Sequence, residues 1–423
     1  MPEPTRPSAL VVGAGLAGLT AALELAQRGA SVEVWDPAPP GGRARSRTHA
    51  GAIVDLGPHA LYTAGAAARH FAHLGLTLEG GSPAPLLLRR GDALHPFPTG
   101  AWSLLRCSGL AFPARLELAG VLLRLPRTRA EGSAAAWIDG HDHPDTRAFL
   151  RALARLSCYG GDLGRMDVGA LLAQLRQATA GVRYLDGGWQ RLVDALSNRA
   201  RAAGVVFARH AARALRPSDT GWRVEARGAV REVPHVVLAL PPSRAAELAP
   251  EPTPHAELPL RAAAARAEAV EVASLAVVLG ELPRRRAPFA LDLERPLYAS
   301  VFSNAAELRL DPTDPRPRHV VQVVAYDPPH PVEALEAHLD LLQPGWRAHV
   351  LFRRFAPALT VHHGFPDHTR GGLAGRPPVA LAPGLALAGD GVGSEGLLAD
   401  AAVASALAAA DHLLPARARS DAA

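Results

Sequence analysis

The residues with the strongest claim to chemistry stand near the start of the chain. Gly13, Gly15 and Gly18 form the pattern G-x-G-x-x-G directly after a short apolar run, 9–12. Such a spacing serves to hold a dinucleotide. Gly13 permits a tight turn from strand to helix, Gly15 lets a pyrophosphate approach the backbone, and Gly18 lets the helix lie close on the strand. Ala14 and Ala17 complete the turn and are counted with the glycines as cofactor-binding residues. The helix that follows offers unpaired N–H groups and the positive end of its dipole to the phosphates. Asp36 ends the next alternating run, 18 positions after Gly18, near the place of an acid that binds ribose hydroxyls.

Those residues need a strand, a helix and a second strand to position them, and the local pattern supplies each. Residues 9–12 read as a buried parallel strand, 16–28 as a helix ending at Gly29, and 32–35 as the second strand. After a Pro-rich turn, Gly41, Gly42 and Arg43 are placed to lay another backbone segment and a guanidinium beside the phosphates. A second G-x-G-x-x-G, at Gly391, Gly393 and Gly396, follows an apolar run and Asp390 near the other end. No second strand or ribose-binding acid follows it, so it is expected to complete the first site with another helix N-terminus.

The whole chain sets bounds on this reading. Its 423 residues are 48% hydrophobic and 20% charged, which suits two globular domains. It has no lysine, which excludes Schiff-base and P-loop lysine chemistry. The net charge of +5 is mild, and the densest basic run, Arg284 to Arg286, lies beside proline without interleaved aromatics. No nucleic-acid partner is expected. Cys107 and Cys158 are far apart, which excludes a C-x-x-C redox pair. The first residues carry no apolar signal region, and no apolar run approaches the length of a span, so a cytoplasmic location is expected.

Along the rest of the chain, 63–180 reads mainly as helices, at 66–74, 116–125, 134–138, 146–156 and 168–178. Residues 104–125 read as a helix of a substrate domain, with a membrane-docking surface as the less favoured alternative. A helix at 190–203 and strands at 205–207, 222–225 and 233–240 return to α/β character. Strands at 270–279, 298–302 and 319–326, with an amphipathic helix at 331–342, suggest the sheet of a second domain. A strand at 385–388 and a terminal helix from about Gly396 close the chain.

Four blocks together resemble the superfamily of flavin-dependent amine oxidases, protoporphyrinogen oxidases and phytoene desaturases. They are VVGAGLAGLTAALELAQRGASVEVWD with GGRARS behind it, DLGPHALY, YLDGGWQRLVDAL followed by a strand and VVLALPP, and LALAGDGVGSEGLLADAAVASALAAA. Their order is the superfamily's order. The resemblance implies an α/β protein with a Rossmann-like FAD-binding domain assembled from discontinuous segments, 1–62, 181–245 and 377–423. An α+β substrate domain with an antiparallel sheet and helices would occupy 63–180 and 246–376.

The resemblance also implies non-covalent FAD and places residues around it. Gly13, Gly15 and Gly18 lie at the pyrophosphate, and Asp36 takes the ribose-binding place. Gly42 and Arg43 match a second glycine pair and an arginine near the cofactor. Gly57, Pro58 and His59 match the segment passing the isoalloxazine ring. Ala212 stands where a backbone meets the adenine, and Gly389 with Asp390 matches a pair reaching the ribityl and phosphate region. Leu397 would present its N–H to the flavin pyrimidine edge. The lysine that many amine oxidases keep near the flavin, their paired aromatic cage, and the long C-terminal signature of bacterial phytoene desaturases have no counterpart here.

The function expected is an FAD-dependent oxidoreductase of the desaturase or oxidase type. It would dehydrogenate a largely apolar organic substrate by hydride transfer to flavin N5, with O₂, a quinone or another acceptor taking the electrons. Flavin amine oxidation with release of H₂O₂, and a non-catalytic flavin-binding scaffold, are the alternatives. No catalytic side chain is assigned. His141, Asp142, His143 and Asp145 have metal-like letters but read as a solvated turn, so no metal is expected. His362 and His363 are adjacent and would face opposite sides of a strand, as structural histidines before ligands. His59 is expected to hydrogen-bond cofactor or backbone.

Overall fold

The strand Ala9–Val12 is buried along its whole length and lies at the middle of a six-stranded sheet. In a computed structural model describing residues 8–248 and 260–415, the order across this sheet is Val206–Ala208, Val32–Trp35, Ala9–Val12, His235–Leu238, Leu385–Leu387, Ala380–Ala382. The first five run parallel and the last is antiparallel. Strands buried on both faces are nearly all apolar, as the Ala-Leu-Val-Val and His-Val-Val-Leu segments are. The helix Leu16–Gln27 crosses between the first two strands in sequence. Its Ala- and Leu-rich composition favours the helix, and it buries nine of its residues. Gly29 stops it in the left-handed region at φ 92°, with its N–H on the Ala26 carbonyl. An antiparallel meander, Ala212–Ser218, Gly221–Ala226 and Ala229–Val233, shares a core with the sheet through Leu10, Val12, Trp35, Leu215 and Trp222. These elements belong to one compact unit, Met1–Arg45, Leu192–Glu268 and Ala374–Ala423.

The second unit takes Ser46–Arg191 and Ala269–Leu373. Its sheet has seven strands, in the order Val350–His362, Val270–Leu279, His319–Tyr326, Leu297–Val301, Phe289–Asp292, Leu87–Arg90, Ala93–Pro96. All neighbours are antiparallel except Phe289–Asp292 with Leu87–Arg90. Alternation sorts its two faces. Ala273, Leu275, Val277, Val321, Val323 and Ala325 pack under the helix Val332–Leu342 through Leu335, Leu339 and Leu342. Ala276, Val278 and Val320 face the other way, against Ala52, Val54, Tyr184 and Phe302.

Several expectations are corrected. The stretch 63–180 is less purely helical than its composition suggests: Gly80–Gly81, Leu87–Arg90 and Ala93–Pro96 are strands. Leu87–Arg90 forms a local hairpin with Ala93–Pro96 and joins the sheet through a second partner, Phe289–Asp292, some two hundred positions later. Helices Phe112–Arg124 and Pro144–Cys158 begin earlier than expected, each opened by a proline in the first turn. Phe289–Asp292 and Val350–His362 are strands that the sequence reading does not mark.

The compact units change over along the chain at 45/46, 191/192, 268/269 and 373/374. Residues 46–62 and 181–191 pack with the second unit. There Ala52 bridges Arg309, and Leu61–Tyr62 pairs with Val182–Leu185. Leu248, Leu260 and Ala263 join the core of the first.

Candidate functional site

The fingerprint turn is built by backbone crowding on one side and open space on the other. Gly13 sits at φ 107°, and a Cβ there would come 2.4 Å from the Ala239 carbonyl oxygen. A Cβ on Gly18 would come 1.9 Å from the Gly13 carbonyl oxygen. No side chain fits either place. Gly15 is the opposite case. It is extended, at φ −77°, and a Cβ on it would meet nothing within 4 Å. Gly15 is also the N-cap of Leu16–Gln27, which has no side-chain cap and no acid in its first turn. Ala14, Ala17 and Gly18 are buried around this N-terminus. An uncapped helix start facing open space suits a phosphate.

Asp36 faces the same turn. Its Oδ2 accepts from the Ala14 N–H at 2.8 Å and its Oδ1 from the Ala38 N–H at 2.8 Å. Each oxygen keeps a further lone pair for a hydroxyl. The Asp36 N–H in turn donates to Ala208, and four residues further on Ala212 opens its strand opposite Ala226. The glycine pair also reaches the fingerprint. The Gly41 N–H donates to the Ala14 carbonyl at 2.7 Å and Gly41 bridges Gly15. A Cβ on Gly42 would stand 3.3 Å from the Gly15 Cα.

From there Arg43 reaches the last glycine-rich turn, its Nη2 2.7 Å from Asp390 Oδ2. Asp390 is buried while nearly half of the Arg43 side chain stays exposed. Gly389 is tied to the terminal helix Leu398–Leu413, donating to and accepting from Ser405 Oγ. Leu397, 1% exposed, is that helix's N-cap. Leu398 takes a left-handed φ of 57°, a strained conformation for a leucine and of the kind found at ligand sites.

One residue here escapes the sequence reading. Arg376 is 4% exposed, and its guanidinium donates to the carbonyls of Asp390, Gly393, Glu395 and Gly396. Burial brings its pKa down to about 10, with Asp390 alone working against that. Only its place before Pro377-Pro378 marks it in the sequence, and that is no signal.

Gly57, Pro58 and His59 lie in the second unit. His59 Nδ1 is 2.8 Å from the Gly57 carbonyl, which assigns the proton to Nδ1, and its ring tilts against Trp189 at 5.1 Å. The Pro58 carbonyl accepts from Tyr159 at 3.3 Å, and the Tyr159 hydroxyl meets that of Tyr298 at 3.1 Å. Asp55, just before this segment, accepts from the Trp189 N–H and from Ser46. Ser46 in turn accepts from the Gln190 N–H, so the pair caps the helix Gly188–Ala202. Burial raises the Asp55 carboxyl, opposed by the charge of His59 and by the Ser46 and Trp189 bonds.

The remaining candidates are structural. His143 caps Pro144–Cys158, its Nδ1 accepting from the Asp145 N–H. Asp145 pairs with Arg90 at 3.0 Å, and Glu117 takes the N–H groups of Asp142 and His143. His362 is fully buried. Its Nδ1 accepts from the Gly364 N–H and its Nε2 meets the Cys158 carbonyl at 3.1 Å.

The residues of the first unit therefore fit a flavin dinucleotide: an open, uncapped helix start at Gly15, a carboxylate fixed at Asp36, and the partly exposed guanidinium of Arg43 beside the last glycine-rich turn. The family model for flavin-containing amine oxidoreductases matches residues 16–414. Solved structures share the fold. An oxidoreductase from Methanosarcina mazei is 18% identical, with a TM-score of 0.76 over 95% of this chain and 99% of its own. Cyclohexylamine oxidase from Brevibacterium oxydans IH-35A is 15% identical, with a TM-score of 0.71 over 96% and 99%. Putrescine oxidase bound to putrescine is 18% identical, with a TM-score of 0.65 over 96% and 98%. No curated protein matches the chain. With its match running from residue 16 to residue 414, the chain belongs to the flavin-containing amine oxidoreductases and is an FAD-dependent oxidoreductase.

Proposed function

We propose that the protein dehydrogenates a largely apolar organic substrate. When bound, FAD supplies the two-electron chemistry, taking a hydride at N5 and passing the electrons to O₂, a quinone or another acceptor. The observation that carries this reading is the sheet face of the second unit that bears Tyr298, whose hydroxyl meets that of Tyr159, the donor to the Pro58 carbonyl. Along the strands Val270–Leu279, Leu297–Val301 and His319–Tyr326 that face carries Val272, Ser274, Ala276, Val278, Tyr298, Ser300, Val320, Gln322, Val324 and Tyr326. None of these is charged. The five tyrosines of the chain, Tyr62, Tyr159, Tyr184, Tyr298 and Tyr326, are all buried in this unit.

Tyr159, Tyr184, Tyr298 and Tyr326 hold their protons. Burial pushes Tyr159 up to about 12, against the pull of the Tyr298 hydroxyl, and burial raises Tyr298 and Tyr326 well above the ordinary phenol value. They serve to orient and exclude water rather than to accept a proton at neutral pH. Tyr159 holds the Pro58 segment through its carbonyl, and Tyr184 is fixed by Ser300 at 3.0 Å. On the neighbouring strand Arg354 stands on the same face, opposite Ala276, and the face carries no carboxylate to pair with an ammonium. This favours dehydrogenation of an apolar molecule over oxidation of a charged amine.

The test is anaerobic mixing of the holoprotein with a panel of apolar alkenes and alcohols beside a panel of amines, followed at the flavin absorbance band. Bleaching by apolar compounds and not by amines is the expected result. Bleaching by amines alone overturns the reading.

A further inference from the structure

Five of the nine large apolar side chains that stand exposed among the described residues come from one short stretch: Trp102, Leu105, Phe112, Leu116 and Leu123. Trp102 is 76% exposed, Phe112 58% and Leu123 78%. The helix Phe112–Arg124 explains the pattern. Phe112, Leu116 and Leu123 recur at helical spacing on one side, with Ala119 and Gly120 between them, and Ala114, Leu118 and Val121 on the opposite side are buried. The helix is apolar on both sides, and among the described residues nothing covers one of them.

The short helix Ala101–Leu105 extends this ridge. It buries Leu104 and leaves Trp102 and Leu105 outside. Arg115 joins the two helices, donating to the Leu105 and Leu110 carbonyls at 2.7 and 2.8 Å. Arg106 lies 5.8 Å over the Trp102 ring.

Charge identifies the occupant. From Pro98 to Ala130 the chain has five arginines, at 106, 115, 124, 127 and 129, and one carboxylate, Glu117. Glu117 is committed to the N–H groups of Asp142 and His143 and to His141. Arg106, Arg124, Arg127 and Arg129 are exposed beside the ridge. Exposed Trp, Phe and Leu rimmed by arginine match the boundary of an anionic bilayer, where rings sit at headgroup depth and guanidinium groups meet lipid phosphates. Among the described residues no helix is long and apolar enough to cross a membrane, so the contact is peripheral.

We propose that this ridge docks the protein on an anionic membrane surface. The proposal stands on the second unit alone and does not depend on the substrate.

Flotation of the FAD-loaded full chain with vesicles tests it. Vesicles of mixed phosphatidylglycerol and phosphatidylcholine are expected to carry at least about tenfold more protein than phosphatidylcholine alone, with the excess lost at high salt. The variant F112S/L123S changes only exposed side chains, so it keeps its melting temperature and bound flavin while losing vesicle binding. R124Q/R127Q/R129Q loses the preference for the anionic lipid. Absence of vesicle binding by the wild-type chain overturns the proposal, as does equal binding by F112S/L123S. A dimer in solution that F112S/L123S converts to monomer overturns it too, by giving the ridge to a second copy.

Discussion

Arg43 and Asp390, from opposite ends of the chain, meet at 2.7 Å. Their contact joins the glycine pair behind the first fingerprint to the glycine-rich turn before the last helix. The carboxylate is buried and the guanidinium is nearly half exposed, so Arg43 has surface left to offer an anion. Arg43→Gln is expected to weaken FAD binding about tenfold, with little change in the melting temperature. Titration of the apoprotein with FAD, followed by quenching of flavin fluorescence, measures it.

Arg376 is expected to matter more for the fold of that turn than Arg43. Its guanidinium serves four carbonyls from a buried position. Arg376→Met leaves them without partners, which is expected to lower the melting temperature by about 5 °C or more and to release the flavin. Arg376→Lys keeps the charge but not the planar fork, so it is expected to recover part of the stability and less of the flavin retention. Calorimetry beside the flavin content after gel filtration separates the two effects.

Asp367 makes acid stability testable in the second unit. Burial alone would raise its carboxyl, but Arg165 at 2.8 Å and the N–H and hydroxyl of Thr369 together bring it to about 2. An unfolded aspartate titrates near 3.9. A carboxyl lowered by folding adds stability that is complete above about pH 4 and lost as pH falls toward about 2. The urea midpoint of the wild-type chain is expected to exceed that of Asp367→Asn at neutral pH, and the gap is expected to close between about pH 4 and 2.

What could be read before the structure was local. The strand, the glycines, the helix and Asp36 follow one another within 28 residues, so each announces its own conformation. The reach of Gly41 to the fingerprint was legible for the same reason. Leu87–Arg90 was not, because its short hairpin with Ala93–Pro96 becomes part of a sheet only through Phe289–Asp292. Arg376 was not, because its role depends on where four carbonyls point. Period alone marks Phe112, Leu116 and Leu123 as one stripe and Ala114, Leu118 and Val121 as another. Only tertiary packing decides which stripe is buried. His362 reads as a ligand or a strut until the Cys158 carbonyl and the Gly364 N–H appear at its two nitrogens.

The glycine turn proposed to hold the cofactor is tested most directly by two alanines measured side by side for flavin content and melting temperature. Gly18→Ala forces a methyl to within 1.9 Å of the Gly13 carbonyl oxygen and is expected to cost about 3 kcal/mol or more in stability. Gly15→Ala adds a methyl where nothing stands within 4 Å, at an ordinary backbone conformation. Its fold is expected to survive unchanged while its FAD, one per chain in the wild type, is lost, because the methyl occupies the place of the pyrophosphate. Full flavin content in a stable Gly15→Ala protein, or a wild-type chain that takes up no FAD on reconstitution, would contradict this assignment of the site.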